Sequence, residues 1–149
     1  MGKSARKIRS SLVFVLAALA AALVAPLPAG AAGTPLQEAI ARGRENFLHN
    51  AFGGHGRFCE TCHLGGGTRQ GQAPDGSPIA SLSNAAVIFP RIAEDDHRLI
   101  TLSDQVRACV GGAIRGTPPD YGSDELNSLV AYLSSLSQGK PLAMGADPK

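Results

Sequence analysis

Cys59-Glu60-Thr61-Cys62-His63 sets two thiols three residues apart and puts an imidazole directly after the second. That spacing, C-x-x-C-H, is the attachment sequence of a c-type haem. The two thiols add to the two vinyl groups of the porphyrin, and a two-residue gap lets both reach one edge of the ring. The adjoining His63 then lies under the iron and offers a ring nitrogen as proximal ligand. Three other uses of the same residues compete. A thioredoxin-type redox pair expects a βαβ context, and this chain shows none. A Cys59–Cys62 disulfide would merely staple a loop. Zinc would take Cys59, Cys62, His63 and Cys109 as a Cys₃His set. The chain has three Cys, an odd number, so full internal pairing is excluded.

The start of the chain reads as an address. Lys3, Arg6, Lys7 and Arg9 form a positive region, Leu12 to Val24 an apolar stretch, and Ala29-Gly30-Ala31 a small-residue cleavage signature. This is the pattern of a secretory signal peptide over residues 1–31. The apolar stretch is short for a spanning helix, which needs about 20 residues; an uncleaved N-terminal anchor is the alternative, and only then is the membrane a partner. Removing residues 1–31 from the 149 leaves a domain of 118, residues 32–149. It also takes four of the 14 Lys and Arg, leaving ten against 12 Asp and Glu. The formal charge of +2 becomes −2, and the remaining Arg residues are scattered, so no nucleic-acid partner is expected. The expected compartment is the periplasm.

Three helices are expected in the exported part. Thr34-Pro35-Leu36-Gln37 starts the first, with Thr34 as cap and Gln37 reaching back. Leu36, Ala39, Ile40, Gly43 and Phe47 follow helical spacing to an end near Asn50. Thr101-Leu102-Ser103-Asp104 opens the second, whose apolar face is Val106, Cys109, Val110, Ala113 and Ile114, stopped by Gly116 and Pro118-Pro119. Ser123 caps the third, with a stripe of Leu126, Leu129, Val130, Leu133 and Leu136 beside Tyr132, closed by Gly139 and Pro141. Residues 64–100 show no sustained period and read as a long ordered loop. Within it, Ile79 to Leu82 and Val87 to Phe89 are expected to tuck inward, and neither makes a strand. Gly43-x-x-x-Phe47, the haem motif and a last helix with Tyr132 together resemble the class I cytochrome c fold. That resemblance implies first and last helices crossing at a small residue with an aromatic beside it.

The second axial ligand is open on the residues alone. Met is the usual choice in such carriers. Met1 lies in the signal peptide, and Met144 follows the last helix, where the usual Met would precede it. The other candidates are Cys109, His49, His55, His97, Asn84 and Lys140. His49 and His55 lie close before the haem motif, and His97 sits among Glu94, Asp95, Asp96 and Arg98. Cys109 lies on an apolar helical face 46 residues after His63, far enough to wrap the haem edge. A buried core cysteine explains that position equally well.

The stretch Cys59 to Pro141 resembles the cytochrome c domains of thiosulfate dehydrogenases and SoxA-type sulfur-oxidation cytochromes. The shared residues are Cys62-His63-Leu64 with Gly65 to Thr68, Phe89-Pro90-Arg91, Thr101-Leu102, Cys109, Gly116, Pro118, and Tyr132-Leu133 through Gly139-Lys140-Pro141. The resemblance implies that Cys109 is the second haem ligand and takes part in sulfur chemistry. The chain departs from the family in having one C-x-x-C-H where two haems are usual. It also has Gln105 and Ala113 where Arg and Ser commonly flank the cysteine; Arg107 and Arg115 lie nearby. Thr68-Arg69, Gly71-Gln72, Gly76, Ile79-Ala80 and Leu82 also resemble the loop of the sphaeroides haem proteins, small oxygen-binding cytochromes c with a displaceable Asn ligand.

The expectation is an all-α, class I cytochrome c-like domain of about three main helices wrapped around one covalent haem c. Cys59 and Cys62 anchor the haem, and His63 and Cys109 are the iron ligands, with Cys109 the candidate for any catalysis. Its expected role is electron transfer to or from a redox protein partner, within oxidation of inorganic sulfur compounds such as thiosulfate, a small sulfur anion. An electron carrier fits better than a self-sufficient oxidoreductase. The alternative is a gas-binding cytochrome of the sphaeroides haem protein kind.

Overall fold

The computed structural model describes residues 33–147; the expected signal peptide lies outside the described residues. Thr34 caps helix α1, Pro35–His49, as its sequence predicts. Its hydroxyl accepts from Gln37 N–H at 3.3 Å, and Gln37 Oε1 accepts from Thr34 N–H at 2.8 Å. Two of the four orphan donors of the first turn are thereby satisfied. Asn50, extended, ends the helix.

The chain then runs through a single 3₁₀ turn, Cys59–Thr61, into the long middle segment. This segment is more regular than its sequence suggests. It holds two antiparallel two-residue ladders, β1 Gly71–Gln72 with β2 Pro78–Ile79, and β3 Arg91–Ile92 with β4 Leu99–Ile100. Between them lies a one-turn helix α2, Ala85–Ile88. Ile79 is thus in a strand, and Val87 and Ile88 are helical. The expected inward tuck is found at Ile88 and Phe89, which with Ala93 and Ile100 form a small second core.

Helix α3, Leu102–Cys109, has a capping box of Thr101 with Asp104. The helix does not stop at Cys109. It widens into a π-helical turn, Val110–Ile114, and ends on Arg115, which takes the left-handed conformation with φ 59°. The helix thus stops just before Gly116, as its sequence predicts, and the Gly116 N–H closes the turn onto Val110 O at 3.0 Å.

Helix α4, Asp124–Leu136, starts at Ser123, whose hydroxyl accepts from Leu126 N–H at 3.2 Å. It packs on α1 with very close backbones: a Cβ at Gly43 would lie 1.8 Å from Ser128 O. That approach buries Ser128, which a stripe of leucines does not foretell. Phe47 and Tyr132 meet beside the crossing, with ring centroids 5.5 Å apart at 60°. Asn46 Nδ2 donates to Ser128 Oγ, and Asn50 Nδ2 to Glu125 Oε1 at 2.6 Å. Phe47, Phe52, Val106, Val110, Ile114, Leu126, Leu129 and Leu133 complete the main core with Tyr132. No helix among the described residues is long and apolar enough to cross a membrane.

Candidate haem site

The 3₁₀ turn places the three motif side chains through a dense local network. His63 N–H donates to Cys59 O at 2.9 Å, and Phe58 N–H donates to Thr61 Oγ1 at 3.1 Å. Glu60, a spacer residue with no part in haem chemistry, fixes the loop that follows. Its two carboxylate oxygens accept from Gly65 N–H at 2.8 Å and Gly66 N–H at 2.7 Å. Tyr132 Oη donates to Gly66 O at 2.8 Å, tying the same loop to α4. Gly71 of β1 lies against the motif so closely that a Cβ there would come 1.7 Å from Cys62 O. Gln72 N–H donates to that carbonyl at 3.2 Å.

Cys59, Cys62 and His63 open onto one cavity of about 690 Å³, and Cys109 of α3 lines it too. The size lies within the range of cofactor pockets, about 300–1,000 Å³. Most of its walls are apolar, from residues such as Phe47, Leu82, Ile88, Val106 and Leu129. Burial pushes the Cys59 thiol up to about 12, and the neighbouring Cys109 adds to the rise. A thioether carries no charge, so attachment there would remove that penalty. Burial also pulls the His63 imidazole below its ordinary value, against an opposing effect of Glu60. The shift favours the neutral ring, the form in which an imidazole can bind a metal. His63 Nδ1 is buried and has no hydrogen-bond partner in the chain.

The same donors do not make a zinc site. Among the described residues no three His, Cys, Asp or Glu side chains stand close enough to hold a metal ion. They ring a wide cavity and do not converge on a point, which suits a broad planar group. The three cysteines are free thiols, so Cys59 and Cys62 do not staple the loop. The residues therefore fit a covalent haem on three counts: two free thiols at one wall, an imidazole beside them, and an apolar volume between.

Of the other ligand candidates, only Asn84 faces this cavity, and its Oδ1 is buried without a partner. His49 is exposed and within 3.8 Å of Glu45. His55, His97, Lys140 and Met144 are exposed and do not line the cavity. Two lining residues have roles that sequence reasoning missed. Gln105 Nε2 lies 3.5 Å from Cys109 Sγ, and Arg91 Nη2 lies 3.2 Å from Gln105 Oε1. The signal for Gln105 was its position one helical turn before Cys109; nothing in the sequence pairs Arg91 with it.

Comparison with known proteins agrees with this geometry. Residues 42–142 match the model of the family described as SoxA/TsdA, cytochrome c domain. A thiosulfate dehydrogenase of Allochromatium vinosum is 31% identical over 130 residues, covering 84% of this chain and 46% of that protein. One from Stutzerimonas stutzeri is 30% identical over 120 residues, covering 77% and 36%. The chain thus spans less than half the length of these relatives. Among solved structures, the thiosulfate dehydrogenase TsdBA of Marichromatium purpuratum superposes with a TM-score of 0.60 at 21% identity, over 83% of this chain and 28% of that one. SoxXA from P. pantotrophus gives 0.59 at 24% identity, over 76% and 38%. These two likenesses establish the class I-like cytochrome c fold. A domain of this type carries covalently bound haem c, and one C-x-x-C-H fits one haem. The chain belongs to the SoxA/TsdA cytochrome c domain family.

Proposed function

We propose that this chain is an exported, periplasmic monohaem cytochrome c that carries electrons in the oxidation of inorganic sulfur compounds. In this reading Cys59 and Cys62 would hold the haem by thioether bonds, and His63 and Cys109 would ligate its iron. The observation that carries the reading is the cavity onto which all four residues open. The haem supplies a one-electron iron couple. The chain does the rest. The apolar walls exclude water, and the Glu60 clamp holds the motif loop in shape. Arg57 and Arg91 bring positive charge to the cavity lining. Cys109 would supply an anionic sulfur to a bound iron, since a metal deprotonates a coordinating thiol outright. Thiolate ligation favours ferric over ferrous iron and sets a potential below that of a His/Met carrier.

With one haem, and with Gln105 and Ala113 beside Cys109, the chain is better equipped to pass electrons to a redox protein than to turn over thiosulfate by itself. The second reading, gas binding, is favoured by one observation, the unpartnered Asn84 Oδ1 in the same cavity. One set of spectra separates the readings. The ferric protein is expected to show near-infrared thiolate-to-iron bands that Cys109→Ala abolishes, and the ferrous spectrum should not change with carbon monoxide. Thiosulfate with an artificial acceptor should give little turnover. A wild-type spectrum without thiolate bands would overturn the ligation. Ready carbon monoxide binding would favour the gas reading, and brisk haem-proportional turnover would make the chain an enzyme.

A further inference from the structure

Gln105 and Cys109 are four residues apart on α3, so their side chains lie one above the other on the same helical face. Gln105 Nε2 is 3.5 Å from Cys109 Sγ, a hydrogen-bond distance for the larger sulfur atom. Which end of a carboxamide faces a sulfur is ordinarily ambiguous, but here a second contact decides it. Arg91 Nη2 stands 3.2 Å from Gln105 Oε1. A guanidinium only donates, so the carboxamide must turn its oxygen to Arg91 and its N–H to the sulfur. A coordinated thiolate only accepts, which matches.

Arg91 is well placed for this task. Its side chain is 19% exposed, and its guanidinium lies 5.4 Å from the centre of the Phe89 ring. The carboxylate near it, Glu94 at 3.8 Å, is almost wholly exposed to water. Arg91 Nε is buried with no hydrogen-bond partner. The positive charge is thus held largely dry and loosely compensated. Arg91, Glu94 and Gln105 also line a second pocket of about 290 Å³, so they form the wall between it and the main cavity.

We propose that Gln105, braced by Arg91, is a positioning residue for the Cys109 sulfur, donating a hydrogen bond that fixes the ligand and moderates its electron donation to iron. The proposal rests on Cys109 being the second axial ligand. Hydrogen bonds to a cysteine sulfur tune a metal's potential because they draw charge off the sulfur. Less donation stabilises ferric iron less, so the bond raises the potential relative to a bare thiolate.

The test uses the haem-loaded protein and two readouts, the reduction potential and the near-infrared thiolate band. Gln105→Leu removes the donor at similar size, and Gln105→Glu keeps the length but offers only acceptors. Both are expected to lower the potential, shifting the ferric-to-ferrous ratio about tenfold, or about 59 mV for one electron, and to move the band. In a Cys109→Ala background the neutral change Gln105→Leu should have little effect, because the sulfur through which Gln105 acts is gone. An unchanged potential and band in both variants would overturn the proposal while leaving the ligation standing. So would an equal shift by Gln105→Leu in the Cys109→Ala background. A wild type without a thiolate band would overturn the ligation itself, and this inference with it.

Discussion

Asp104 shows how much one side chain at a helix start can do. It completes the capping box with Thr101, accepting from Thr101 N–H at 2.8 Å, and it also accepts from Tyr121 Oη. The Tyr121 bond first, then the two bonds from Thr101, hold its carboxyl at about 2, below the ordinary 3.8. A carboxyl depressed in the folded state contributes stability above its unfolded value and loses it as pH falls through the folded one. Asp104→Ala is therefore expected to lower the thermal midpoint above about pH 4. The gap between the two proteins should close on the way down to about pH 2; a gap that stays constant across that range would contradict the account. The Thr101–Asp104 box is legible in the sequence, because its parts are three residues apart. The Tyr121 bond, spanning 17 residues, is not. The same division runs through the haem site. The motif residues are adjacent and announce themselves, and Gln105 reads only as a departure from its family until Arg91 is seen beside it.

At the scale of elements, the α1–α4 crossing depends on the missing side chain of Gly43. In an isolated helix, alanine would stabilise that position by about 1 kcal/mol. Here the added Cβ would meet the Ser128 carbonyl and come 2.9 Å from Tyr132 Cβ, contacts made by backbone and by a stem that cannot swing away. Gly43→Ala is expected to cost about 3 kcal/mol, the upper range for an overpacked contact, read as a lowered denaturant midpoint of the haem-loaded protein. A neutral or stabilising result would mean that the helices sit farther apart. All three main helices are legible because each combines a cap with a sustained apolar period. The ladders are not, since two residues per strand are too few to show alternation. The π-turn after Cys109 is hidden for another reason: Val106, Val110 and Ile114 keep a helical spacing even though the turn between the last two is wider.

The molecule as a whole is organised around volume that the chain does not fill. Removing the haem would leave about 690 Å³ between apolar walls. Without it, the apolar side chains that line the space would face water, and the burial that holds their packing would be lost. The haem-free chain, made as Cys59→Ala with Cys62→Ala, is therefore expected to lose fixed packing. Near-ultraviolet circular dichroism should vanish, much of the far-ultraviolet signal should remain, and a hydrophobic dye should bind. A haem-free protein with native near-ultraviolet signal would show that the two cores suffice alone. The crossing of α1 on α4 also has a consequence in time. A chain is made from its N-terminus at about 5–20 residues per second, so roughly 4–17 s separate the appearance of Gly43 from that of Ser128. Cys59 and Cys62 emerge inside that interval, after the first helix exists and before its mate arrives. During synthesis, then, the attachment sequence is presented on a chain that has no means yet of closing over it.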